Sequence, residues 1–176
     1  MKRTIISLLF STLVLSPAVL AEGGCGFNEQ QQGLFATCAE EQQEVIVTGE
    51  VSPQALLLLP DFGHEQAYQA DQQAINALKA IDTPTDIVVI IGTWCPDCHR
   101  ETPRFIELIA AVNNPNIHVR YIGVDRQKQD PQGLSSHYEF SRIPTFIVHQ
   151  GNQEIGRIIE RPQQTLEHDL VSILKP

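Results

Sequence analysis

The sequence predicts an α/β fold, a central mixed β-sheet flanked by helices and preceded by an N-terminal extension. Three observations carry that expectation. From Glu65 onward, stretches with apolar residues at helical spacing alternate with short β-branched runs. One of those runs, Ile87 to Ile91, is apolar without a break, as a strand covered on both faces requires. Near the end, Gly151-Asn152 separates two strand-like runs at the distance of a tight hairpin.

Taken in order, residues 1–21 read as a secretory signal peptide: Lys2 and Arg3 form the positive start, Ile5 to Leu15 the apolar stretch, and Val19-Leu20-Ala21 the cleavage site. The apolar stretch is shorter than a membrane span needs, so no stable span is expected once the leader is removed. Residues 22–64 form the extension, rich in Gly, Gln and Glu over its first half. Within it, Val45 to Val51 alternates like a strand, and Ala55 to Leu59 fits either a buried strand or one helical turn.

The main domain is read as 65–176. Ala67, Ala70, Ala74, Ile75, Leu78 and Ile81 predict a helix over 65–81, stopped by Thr83-Pro84. The strand Ile87 to Ile91 runs into Gly92-Thr93-Trp94-Cys95. A helix from Pro96 to Val112 follows, with Pro103 expected to kink it and Asn113-Asn114-Pro115 to end it. His118 to Val124 reads as a strand, Ser135 to Phe140 as a short helix, Thr145 to His149 and Glu154 to Ile159 as the hairpin strands, and Leu166 to Leu174 as the last helix.

The 176 residues are 42% hydrophobic and 19% charged, which excludes disordered and fibrous classes. Loss of Lys2 and Arg3 with the leader makes the net charge of −9 two units more negative, so nucleic acid is not an expected partner. All four cysteines lie beyond the leader and would meet an oxidising compartment, periplasmic or otherwise exported. Cys95 with Cys98 and Cys25 with Cys38 is the economical pairing of the three available. The second pair is read as a structural disulfide stapling the extension, with a second redox pair as the alternative.

The chemistry is concentrated in Cys95-Pro96-Asp97-Cys98. Two cysteines two residues apart at a helix start can close a small disulfide ring, and the helix N-terminus favours the thiolate of the first. Cys95 is placed to attack a disulfide and Cys98 to resolve the mixed disulfide; the same spacing serves reduction and oxidation of a partner. Asp97 should disfavour the neighbouring thiolate, and a protonated His99 would oppose that effect. No second Cys-x-x-C completes a zinc site, so no metal and no cofactor is predicted. Two thiolates also suit a soft ion, which leaves a copper(I)-binding or partner-docking module without turnover as the alternative to an enzyme.

Gly92-Thr93-Trp94-Cys95-Pro96-Asp97-Cys98, Pro103 five residues on, and Ile143-Pro144-Thr145 before a strand and hairpin resemble the thioredoxin family over roughly residues 65–176. The resemblance implies a thioredoxin-like fold and thiol-disulfide oxidoreductase activity. It also implies that Pro144 is a cis proline facing the sulfurs and that Ile143 offers backbone hydrogen bonds to a bound peptide. Trp94 is read as a contact for partner proteins, with packing beside the motif as the alternative. Pro96, Asp97 and His99 would tune the pair. The exported setting looks closest to the TlpA-type branch, with cysteine-containing exported proteins and a redox partner protein as the expected partners. Val89 stands where the family carries a buried aspartate, Pro96-Asp97 replaces the family's Gly-Pro, and residues 22–64 have no counterpart in its minimal members.

Overall fold

The computed structural model describes residues 44–63 and 68–175. The predicted leader and the Cys25–Cys38 staple lie outside the described residues. A five-stranded mixed sheet forms the centre, in the order β1-β3-β2-β4-β5: β1 Gly49–Val51, β2 Thr85–Ile91, β3 Ile117–Gly123, β4 Thr145–Gln150 and β5 Gln153–Ile159. The helices are α1 Pro53–Leu57, α2 Gln72–Lys79, α3 Pro96–Val112 and α4 Leu166–Leu174. β2 runs parallel to β3 and antiparallel to β4; the outer pairs β1–β3 and β4–β5 are antiparallel.

β2 is the central strand, and Ile87, Val88, Val89, Ile90 and Ile91 are all buried, as its unbroken apolar run demands. The β4–β5 hairpin turns at Gly151-Asn152, with Gln150 opposite Gln153 and Gly151 at φ +60°, a conformation glycine adopts without steric cost. Phe105 of α3 lies in the core against Phe146 and Tyr121, with ring centroids 4.7 and 6.4 Å away.

Three elements depart from the sequence expectation and one open alternative is settled. The strand expected over 45–51 pairs only from Gly49, because the Val45 carbonyl and the Val47 N–H bond to the Thr93 hydroxyl instead of to a neighbouring strand. The ambiguous run 55–59 resolves as α1, started by Ser52, whose hydroxyl accepts from the Ala55 N–H, and by Pro53 at its first position; a 3-10 turn follows at Pro60–Phe62. Within the helix expected over 65–81, the described residues are helical over Gln72–Lys79, with Asp71 as the cap that accepts from the Ala74 N–H at 2.8 Å. The expected helix at 135–140 is one 3-10 turn, Ser135–His137, organised by the Asp130 carboxylate, which accepts from Leu134, Ser135 and the Ser135 hydroxyl.

Residues 49–62, read from the sequence as part of the extension, supply β1 and the fully buried Leu56 and Phe62 to the same core. At the other end of α3, Asn113 ends the helix in the left-handed conformation (φ 43°). Its neighbour Asn114 donates to the carbonyls of Leu78 and Ile81, so one residue closes α2 and joins it to α3. Pro103 lies buried inside α3 without ending it.

Candidate functional site

The site forms where β2 gives way to α3. Cys95 is the N-cap of α3, with Pro96 at the first helical position, where its missing N–H removes nothing the helix would use. The Cys95 side chain makes no capping bond, which leaves its sulfur at the positive end of a 17-residue helix. Cys98, one turn further in, is fully buried, whereas Cys95 keeps 8% exposure. The Gly92 N–H points at Cys98 Sγ at 3.3 Å, and Cys95 Sγ donates to the Ile143 carbonyl at 3.4 Å.

That geometry separates the two thiols. The Cys98 S–H beside it does most to lower the Cys95 pKa, to about 6; burial opposes this, while the N–H groups of Cys98 and Asp97 add to it and the Asp97 charge subtracts. Burial pushes the Cys98 thiol far above its ordinary range, and its bond to Cys95 pushes the same way. Both cysteines are free thiols.

The Ile143–Pro144 bond is cis, and its segment faces the motif through the Cys95 to Ile143 contact. Ile143 is buried. Trp94 is half-buried, its indole N–H donating to the Val124 carbonyl at 3.2 Å and its ring covered by the Arg126 guanidinium at 5.2 Å. Gly92 is required by this packing: a Cβ there would lie 2.7 Å from Ile143 Cδ1 and 2.8 Å from the Trp94 ring. His99 is held by the Thr93 carbonyl, 2.6 Å from its Nε2, with its ring edge-on to Phe62 at 5.1 Å. Asp97 is held by two guanidiniums, Arg100 at 2.7 Å and Arg161 at 3.0 Å. Burial raises its pKa, but those two cations outweigh burial and hold the carboxyl below its ordinary range.

The structure thus brings Trp94, Cys95, Pro96, Asp97, Cys98, Ile143 and Pro144 together, with the His99 ring on the Thr93 carbonyl and Phe62; Cys25 and Cys38 lie outside the described residues. It adds residues that the sequence reading does not name for the site. Arg100 was legible as an i,i+3 partner of Asp97 on a predicted helix. Arg161, Arg126 and the Thr93 hydroxyl contact come from chain segments far apart, and no local pattern signals them. Among the described residues no cluster of three or more His, Cys, Asp or Glu side chains is arranged to hold a metal ion, and no helix is long and apolar enough to cross a membrane.

A family model described as thioredoxin matches residues 63–172. Thioredoxin H5 of Oryza sativa subsp. japonica is 25% identical over 92 residues, a stretch that spans 52% of this chain and 64% of that relative, so less than two-thirds of its length is matched. Among solved structures, a protein of unknown function from Pseudomonas aeruginosa is similar over 60% of this chain and 72% of its own, at 22% identity and a TM-score of 0.45. Trxlp from Edwardsiella tarda EIB202 is similar over 61% of this chain and 96% of its own, at 21% identity and a TM-score of 0.42. With a redox-type cysteine pair at a strand-to-helix junction, a cis proline against it, and a family model spanning well over half the sequence, this chain belongs to the thioredoxin family.

Proposed function

We propose that this protein is a thiol-disulfide oxidoreductase that works through a mixed disulfide on Cys95. The observation that carries the reading is the asymmetry of the pair: Cys95 ionises near pH 6 at a helix N-terminus, and Cys98 behind it is kept protonated by burial. At neutral pH the Cys95 thiolate attacks one sulfur of a partner disulfide, forming a new S–S bond while the partner's other sulfur departs as a thiolate. Cys98 then gives up its proton and attacks the Cys95 sulfur. The Cys95–Cys98 disulfide closes, the second partner sulfur is released, and two electrons have passed to the partner. The reverse sequence oxidises a partner dithiol.

The Gly92 N–H at 3.3 Å supports charge on Cys98 Sγ during the second step. Val89, where the family carries its buried acid, is apolar and fully buried, so the Cys98 proton passes to water or to the departing thiolate. The half-buried Trp94 ring and the backbone of the Ile143-Pro144 segment offer the partner chain its contacts. The leader read at residues 1–21 assigns the protein to the periplasm or another exported compartment, in the manner of the TlpA-type branch. Its substrates are then cysteine-containing exported proteins, and a redox partner protein resets the pair.

A Cys98→Ser variant mixed with a disulfide-bonded test protein should accumulate a covalent adduct at Cys95 that a reductant releases, and Cys95→Ser should form none. A folded, reduced parent protein that exchanges with no disulfide yet binds copper(I) through both cysteines would establish the carrier reading instead.

A further inference from the structure

A carboxylate inside the redox ring should work against a thiolate at Cys95, and this motif carries one at Asp97. We propose that Arg161, 64 residues away in sequence, is a positioning residue for the redox pair: it anchors and neutralises the Asp97 carboxylate so that the motif's own acid does not suppress the Cys95 thiolate. The inference rests on the oxidoreductase reading of Cys95 and Cys98 and deepens it.

The argument begins with the charges on α3. Arg100 is shared: its Nη2 meets Asp97 Oδ1 at 2.7 Å, and its Nε meets the buried Glu101 carboxylate, also at 2.7 Å. Arg104 reaches the Glu101 carboxylate only at 3.8 Å, so Arg100 is drawn to both acids and does not serve Asp97 alone. Arg161 supplies the second cation, with Nε at 3.1 Å and Nη2 at 3.0 Å from the same Oδ1.

Arg161 is aimed there by the turn that follows β5. Glu160 adopts a left-handed conformation (φ 59°), donates its N–H to the Pro144 carbonyl at 2.7 Å, and pairs its carboxylate with Arg142 at 2.8 Å. The turn carrying Arg161 is therefore fastened to the cis-proline segment, and that segment's Ile143 carbonyl accepts from Cys95 Sγ. One framework thus holds both the reacting sulfur and the cation that masks the nearby acid. The Arg161 side chain is 68% exposed, so its removal leaves the core untouched, and an ion pair this open adds little to folding. Its effect falls on the charge that Cys95 feels. The ionisable groups nearest Cys95 on its own helix are Cys98, Asp97, His99 and Arg100, with Glu101 and Arg104 paired behind Arg100. From adjoining segments come Arg161, with Glu160 and Arg142 behind it, and Arg126 over Trp94.

The test is peptide-resolved alkylation of Cys95 by iodoacetamide against pH, in the reduced full-length protein and its Arg161→Gln, Arg161→Lys, Asp97→Asn and Arg161→Gln/Asp97→Asn variants. Arg161→Gln should raise the midpoint by about half a unit, which near pH 5 slows alkylation about threefold. Arg161→Lys should keep most of the parent rate, and in the Asp97→Asn background the Arg161 substitution should lose most of its effect. A parental midpoint in Arg161→Gln, or an equal shift with Asp97 already neutral, overturns the proposal. Exchange with a disulfide-bonded test protein reads the underlying function separately: a parent with a low Cys95 midpoint and no exchange overturns the oxidoreductase reading while leaving the Arg161 coupling measurable.

Discussion

At the scale of single residues, two identical thiols three positions apart acquire opposite acidities because one sits at the helix end and the other a turn inside it. Alkylation of the reduced protein should therefore modify Cys95 with a midpoint near pH 6 and spare Cys98 through neutrality. The same asymmetry enters stability. Unfolded, Cys95 ionises near about 8.5; folded, near 6. A lowered folded value contributes stability that is fully present above the unfolded value and is lost as pH falls through the folded one. Folded Cys98 keeps its proton throughout, so its unfolded thiol, ionising at about 8.5, turns the gain over at the top of that window; in the oxidised protein neither thiol titrates. Denaturation of the reduced form measured against the oxidised form should thus show a stability difference that rises with pH between about 6 and about 8.5, by up to about 1.4 kcal/mol per unit. A flat difference would mean that Cys95 is not acidified by folding.

At the scale of elements, the approach to α3 is held from outside the helix. The Thr93 hydroxyl donates to the Val45 carbonyl at 2.6 Å and accepts from the Val47 N–H at 3.1 Å, so one side chain takes the place of a strand partner for the segment before β1. Glu44, at the start of that segment, pairs with Arg126, which covers Trp94. Thr93→Val keeps the shape and removes both bonds. It should cost about 1 to 3 kcal/mol in urea denaturation, because the Val45 and Val47 backbone groups lose their partner. It should also increase protease cleavage within 44–48 while the Cys95 alkylation midpoint stays in place, since neither sulfur contacts Thr93.

At the scale of the whole molecule, Glu167 ties the ends of the main domain together. Its side chain, buried in α4, accepts from the Asp71 N–H at 3.0 Å and from the Tyr68 hydroxyl, across almost a hundred residues. Burial raises its pKa, but the Asp71 N–H and the Tyr68 O–H outweigh burial and hold the carboxyl below its usual range. Burial, then the Glu167 carboxylate, push the Tyr68 phenol above its own range. The Glu167 contribution is present above the ordinary glutamate value and fades as pH falls through the lowered one. Glu167→Gln turns one acceptor into an N–H₂ facing a donor and should cost about 1 to 3 kcal/mol at neutral pH. Its acid unfolding profile should be flatter below about pH 4.5 than the parent's; equal profiles would remove Glu167 from the acid response.

Sequence alone determined what local periodicity and local chemistry encode. The β-branched run Ile87 to Ile91 had to be a covered strand, Pro96 to Val112 a helix whose first turn carries the cysteines, and Gly151-Asn152 a tight turn, because spacing, capping and φ preferences act within a few residues. Where a distant partner competes with local preference, tertiary structure decided the outcome. Val45 to Thr48 leaves the sheet for the Thr93 hydroxyl, and Leu56 and Phe62 enter the core. At the site the division is the same. The cysteine pair is visible as a motif, whereas the acidity of Cys95, the isolation of Cys98 and the masking of Asp97 by Arg161 depend on burial and on contacts across the chain. Through-space electrostatics has no sequence period, so only the folded chain could decide which cation meets which acid.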